Sequence, residues 1–91
     1  MSESELKRKV TATLRRKKIF YLSLQDKFTS GIPDLLLLKD GKYVWIELKD
    51  LKGKVTKVQE LMHYLIRSNG GKVYVVRTIE NLKEILEEEY A

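Results

Sequence analysis

Apolar positions along this chain follow two different periods. Leu6, Val10 and Leu14 recur every fourth residue, with Ile19 following, which predicts an amphipathic helix over roughly residues 3–17. Ser2 is placed to cap it, and acidic residues in its first turn and basic ones in its last complement the helix dipole. Phe20-Tyr21-Leu22-Ser23-Leu24 predicts a short strand, and Thr29-Ser30-Gly31 a loop. Pro33 can stand only where a strand begins, and Asp34-Leu35-Leu36-Leu37-Leu38 continues from it. Asp40-Gly41 predicts a hairpin turn of the kind that needs positive φ, with Tyr43-Val44-Trp45-Ile46-Glu47-Leu48-Lys49 as the partner strand.

A charged loop from Asp50 to Val55 precedes a second helix, where Thr56 and Gln59 have capping-box spacing. Val58, Leu61, Met62, Leu65 and Ile66 are expected to form its core-facing side, and Asn69-Gly70-Gly71 ends it. Val73-Tyr74-Val75-Val76 predicts another strand. Thr78 then caps a last helix with Ile79, Leu82, Ile85 and Leu86 facing inward. The order αβββαβα predicts an α/β fold, a four-stranded mixed sheet with helices on both sides. Residues 1–91 are expected to form one domain, without repeat, low-complexity segment or linker.

Composition narrows the chemistry. The chain has no cysteine, so disulfides, thiolate metal sites and thiol nucleophiles are excluded. Met1-Ser2-Glu3-Ser4-Glu5 lacks the basic start and apolar stretch of a signal peptide, and no apolar run approaches the ~20 residues of a membrane span. A soluble intracellular, cytoplasmic domain is expected, in the host cytoplasm if the source is viral. The net charge of +5 is unevenly spread. Lys7, Arg8, Lys9, Arg15, Arg16, Lys17 and Lys18 crowd the amino end, whereas Glu80, Glu84, Glu87, Glu88 and Glu89 crowd the carboxyl end. Such sidedness suits a polyanion held against one face.

Charge also stands where it should be costly. Leu35 to Leu38 is apolar on both faces, which predicts a central strand covered from both sides, yet Asp34 opens it. On the partner strand Trp45, Glu47 and Lys49 share one face, opposite Val44, Ile46 and Leu48. Asp34 lies seven residues before Gly41 and Glu47 six after it, so the hairpin brings the carboxylates together beside Lys49. A structural Glu47–Lys49 salt bridge is one reading, and on an exposed strand such a pair contributes only ~0–1 kcal/mol. In a covered strand, two carboxylates against one lysine leave net negative charge that calls for a cation. Mg²⁺ suits it, because that ion binds through one or two carboxylates while keeping waters and phosphate oxygens.

Gly31-Ile32-Pro33-Asp34, followed after a hairpin by Glu47-Leu48-Lys49, resembles the Pro-Asp…(Asp/Glu)-x-Lys signature of restriction-endonuclease-like nucleases. The closer resemblance is to the virus-type replication-repair nuclease (VRR-NUC) domain of that PD-(D/E)XK superfamily. Its pattern adds a glutamate in the leading helix and a glutamine opening the helix after Glu-x-Lys, here Gln59. The resemblance spans the first helix through Val76. It implies a restriction-endonuclease-like core in which Asp34 and Glu47 bind Mg²⁺ or Mn²⁺, with the Leu48 carbonyl as a third ligand. It further implies that Lys49 orients the attacking water and that Gln59 projects toward Lys49 or that water. The capping box alone also explains Gln59. The leading glutamate is Glu3 or Glu5; Glu3 lies in line with Leu6, Val10 and Leu14 on the core side, and its spacing before Leu6 fits the pattern.

Lys52, Lys54 and Lys57 follow the Glu-x-Lys strand and are expected to grip phosphates, if they are not simply a solvated loop. His63, the only histidine, is expected to be an ordinary surface or boundary residue, and Tyr64 to pack in the core. The resemblance implies a metal-dependent, structure-specific DNA endonuclease of replication, repair or recombination, acting on branched DNA such as four-way (Holliday) junctions. Cutting two strands symmetrically needs two sites about a two-fold axis, so a homodimer is expected. The rival is a non-catalytic nucleic-acid-binding module on the same fold. An RNA-directed nuclease would use the same chemistry.

Overall fold

A computed structural model describes residues 1–25 and 29–91. The elements are α1 (Glu3–Arg16), β1 (Phe20–Ser23), β2 (Leu35–Lys39), β3 (Lys42–Leu48), α2 (Lys57–Ser68), β4 (Val73–Val76) and α3 (Ile79–Tyr90). All three helices start where the capping residues predict. Ser2 Oγ accepts the Glu5 N–H, Thr56 closes a complete capping box with Gln59, and Thr78 Oγ1 accepts the Asn81 N–H. Asp40 and Gly41 take φ of 52° and 76°, which joins β2 to β3 in a tight hairpin. The strands lie in the order β1-β2-β3-β4, the first three antiparallel and β4 parallel to β3. α2 supplies the crossover that a parallel pair requires.

One face of the sheet is covered over β2, β3 and β4. Leu35 and Leu37 of β2, Val44, Ile46 and Leu48 of β3, and Val76 of β4 pack against Leu6, Val10 and Leu14 of α1 and Leu82, Ile85 and Leu86 of α3. These are the inward positions that the two periods predict. Among the described residues no helix is long and apolar enough to cross a membrane.

The other face departs from expectation. Leu36 and Leu38 are only half-buried, and in the same rows Phe20, Leu22 and Tyr43 are exposed, so β2 is covered on one side alone. α2 packs along β4 and leaves the β1–β2 side of this face bare. It is also turned from the predicted orientation. Gln59, Met62, His63 and Ile66 are its buried or half-buried side, whereas Val58, Leu61 and Leu65 are 51%, 59% and 44% exposed. At ~100° per residue that second stripe sits roughly a third of a turn away from the sheet-facing one. Tyr64 is exposed rather than part of the core.

Gly31 fixes how closely the loop before β2 meets α2. Its φ is +79°, and a Cβ there would stand 2.6 Å from the Val58 carbonyl oxygen. Only glycine meets both conditions without strain.

Candidate active site

Hairpin register places the acidic pair. Leu35 pairs with Ile46, so one step further Asp34 stands opposite Glu47. Asp34 is held from both sides: its carbonyl accepts the Leu24 N–H at 2.8 Å, and its Oδ2 accepts the Leu48 N–H at 2.7 Å. The ladder ends at Leu35, because the chain bends at Asp34. N–H groups of even-numbered β3 residues face β2, since those of Trp45 and Lys49 reach β4 through the carbonyls of Lys72 and Val76. The Leu48 carbonyl therefore faces the β2 side as well, beyond the last rung of that ladder. Among the described residues no loop N–H or side chain donates to that oxygen.

Glu47 is 2% exposed. Burial, and then the hydrogen bond and negative charge of the Asp34 carboxyl, push its pKa from 4.5 up to about 8, with Lys49 working in the opposite direction. At neutral pH Glu47 therefore favours its protonated form, with the Asp34 carboxyl as its hydrogen-bond partner. Gln59 Nε2 donates to Glu47 Oε2 at 3.3 Å, and His63 Nε2 lies 3.4 Å from Glu47 Oε1. The distance alone would permit an ion pair. Burial, with Arg67 and Lys49 nearby, also holds the imidazole below its usual pKa, so both partners favour their neutral forms. The contact is a long neutral hydrogen bond.

Lys49 is 9% exposed and shares the Glu47 face of β3. Among the described residues, the neutral His63–Glu47 contact aside, the ion pair is Lys72–Glu89. The structural Glu47–Lys49 bridge is absent, and no carboxylate among the described residues pairs with the ammonium. The Gln59 amide takes part in two arrangements at once: Oε1 accepts the Thr56 N–H at 3.0 Å while Nε2 reaches Glu47. It therefore serves the cap and the carboxylate, not Lys49. Of the two leading glutamates, Glu3 is close enough to raise the Glu47 pKa electrostatically. Glu5 is exposed and occupied by the cap, where Ser2 Oγ donates to its Oε1 at 3.1 Å and lowers its pKa. Lys52, Lys54 and Lys57 are all exposed on the segment that follows β3.

His63 is the residue that sequence reasoning missed. It is 3% exposed and the one fully buried residue of α2. A signal was present: it follows Gln59 by four positions, which puts both on one helical face. An imidazole fills that face because the sheet beneath presents Glu47 rather than an apolar residue.

The donor set fits a hard divalent cation. Two carboxyls set so close that Glu47 favours its protonated form, beside the Leu48 backbone oxygen, are what Mg²⁺ would relieve. Among the described residues no cluster of three or more His, Asp or Glu side chains forms a full cage. An ion here would keep water and substrate oxygens in its shell.

Sheet order, helix placement and this hairpin site together define a restriction-endonuclease-like, nuclease-type fold. Among matching solved structures is one described as a "VRR_NUC domain", similar at a TM-score of 0.82 and 26% identity over 98% of this chain and 97% of that one. The motif resemblance thus extends to the whole fold, and the chain is VRR-NUC-like. No family model and no curated protein matches it.

Proposed function

We propose that this chain is a Mg²⁺- or Mn²⁺-dependent endodeoxyribonuclease that cuts branched DNA, with four-way junctions as its favoured substrate, in repair or recombination. The carrying observation is the Asp34–Glu47 carboxyl pair beside a buried Lys49 that forms no ion pair among the described residues. Asp34, Glu47 and the Leu48 carbonyl would hold the ion, which supplies Lewis acidity toward the phosphoryl oxygen and activates water. Lys49 orients that water and stabilises charge building on the phosphate. Gln59 and His63 fix the Glu47 carboxyl, and Glu3 adds negative charge from α1. Lys52, Lys54 and Lys57 contact the DNA backbone, which selects by shape rather than by base sequence.

The reading includes a homodimer, and the bare sheet face supports it. Phe20, Leu22, Leu36, Leu38, Tyr43 and Trp45 form two cross-strand rows of uncharged side chains, with Leu65 of α2 beside Trp45 and Val58 and Leu61 exposed on the same helix. A second copy related by a two-fold axis would meet this surface without opposing like charges.

Incubating the protein with an end-labelled four-way junction, in Mg²⁺ or in EDTA, tests the proposal. Paired incisions that require the ion are expected. Retention of the junction in both conditions without product would instead mark a non-catalytic binding module, and incision of RNA alone would move the activity to the other polymer.

A further inference from the structure

The loop after β3 is built with more order than an exposed, charged segment needs. Asp50 Oδ1 accepts the N–H groups of Lys52 at 2.9 Å and Gly53 at 2.6 Å. From outside, Nη1 of Arg77 donates to the Asp50 carbonyl at 2.7 Å and to the Gly53 carbonyl at 2.6 Å. Arg77 follows β4 directly, and the preceding Val76 carbonyl accepts the Lys49 N–H at 3.1 Å. One guanidinium therefore joins the end of β4 to both ends of the turn that leaves β3. The turn in its place lies over Lys49: a Cβ added at Gly53 would be 3.5 Å from Lys49 Cδ. The buried stem of Lys49 is thus roofed by a turn that Arg77 clamps.

We infer that Arg77 is a positioning residue for the reaction, acting through the 50–53 turn to aim Lys49 and to present Lys52 and Lys54 to the phosphates. The inference rests on the role proposed above for Lys49. Two carbonyls from residues three apart converge on one nitrogen, so the clamp is satisfied only when the turn is closed. Opening it would free a four-carbon side chain to sample rotamers that do not face the acidic pair. Among the described residues Arg77 forms no ion pair, so its bond to the turn is not shared with a competing carboxylate.

Arg77→Met and Arg77→Lys in the full chain test this, with Asp50→Ala loosening the same turn from its other side. Two readouts need no cleavage: amide exchange at Lys52 and Gly53, and the NMR resonances of the Lys49 Cε–Nζ group. In Arg77→Met and Asp50→Ala, Gly53 exchange is expected to rise about tenfold and the Lys49 resonances to move. With four-way DNA and Mg²⁺, kcat should fall about tenfold to a hundredfold, KM should change far less, and Arg77→Lys should recover part of the loss. Unchanged exchange and unchanged Lys49 resonances in Arg77→Met would overturn the inference. So would a rise in KM alone, which would make Arg77 a direct DNA contact. Asp50→Ala covers the case in which Arg77→Met does not fold. Should the wild-type chain cut no DNA, the nuclease reading fails while the exchange and resonance data still decide whether Arg77 governs Lys49.

Discussion

Asp34 Oδ2 accepts the Leu48 backbone N–H at 2.7 Å, so the carboxylate that opens β2 also fastens it to the strand bearing Glu47 and Lys49. Its charge and its oxygen can be separated by substitution. Asp34→Asn keeps an acceptor for Leu48 and removes repulsion with Glu47, so it should unfold no more easily than wild type while losing cleavage. Asp34→Ala leaves the N–H of Leu48, a residue 1% exposed, without its acceptor and should be less stable by about 1–3 kcal/mol. Urea melts of the two variants compare these costs. Equal stability would mean that the hydrogen bond contributes nothing.

Glu47 makes metal-free stability depend on pH in a direction opposite to most carboxylates. Folding raises its pKa from 4.5 to about 8, so between those values the folded state holds a proton that the unfolded state has released. Its stabilising contribution is therefore complete below pH 4.5 and is lost as pH rises through about 8. In EDTA the Tm should fall across that window, and Glu47→Gln should flatten the fall. Saturating Mg²⁺ should reverse it, because the ion replaces the proton. A wild-type melt in EDTA that is insensitive to pH from 5 to 8 would contradict a proton held on Glu47.

Lys49→Ala should slow cleavage about 10²- to 10³-fold, as expected when a group that stabilises developing charge is lost. Mg²⁺ binding, followed by calorimetry, should persist, because Asp34, Glu47 and the Leu48 carbonyl remain. Turnover equal to wild type would remove the ammonium from the chemistry.

His63→Ala should empty a buried space beneath α2 and free Glu47 Oε1, with a stability loss of about 1–3 kcal/mol and a fall in cleavage. His63→Gln, which can still donate to the carboxyl, should recover more activity than His63→Ala. Identical behaviour of the two variants would reduce the imidazole to filler.

Leu61→Glu and Leu22→Glu alter exposed side chains, 59% and 47% accessible, and should leave the fold intact. Sedimentation at micromolar concentration should find wild type dimeric and the double variant monomeric. A monomeric wild type would refute the two-fold arrangement.

The acidic pair was legible because a two-residue hairpin turns counting into geometry. Once Asp40-Gly41 is placed, Asp34 must face Glu47, and strand alternation must put Lys49 on the same side. The orientation of α2 was not legible. Periodicity shows that Val58, Leu61 and Leu65 share a stripe, but not that the stripe beside it, with Gln59 and His63, meets the sheet. Choosing between them requires knowing that Glu47 lies beneath, which is a tertiary fact. Arg77 gave no local signal either: its partners at Asp50 and Gly53 are distant in the chain, and only the parallel pairing of β3 with β4 makes them neighbours.

The chain bends at Asp34, so the ladder between β2 and β3 begins only at Leu35, and the Leu48 N–H turns to a side chain instead of a backbone carbonyl. Pro33, just ahead of the bend, has no amide hydrogen with which to carry the ladder further. The hairpin therefore stops pairing where its acidic residues stand.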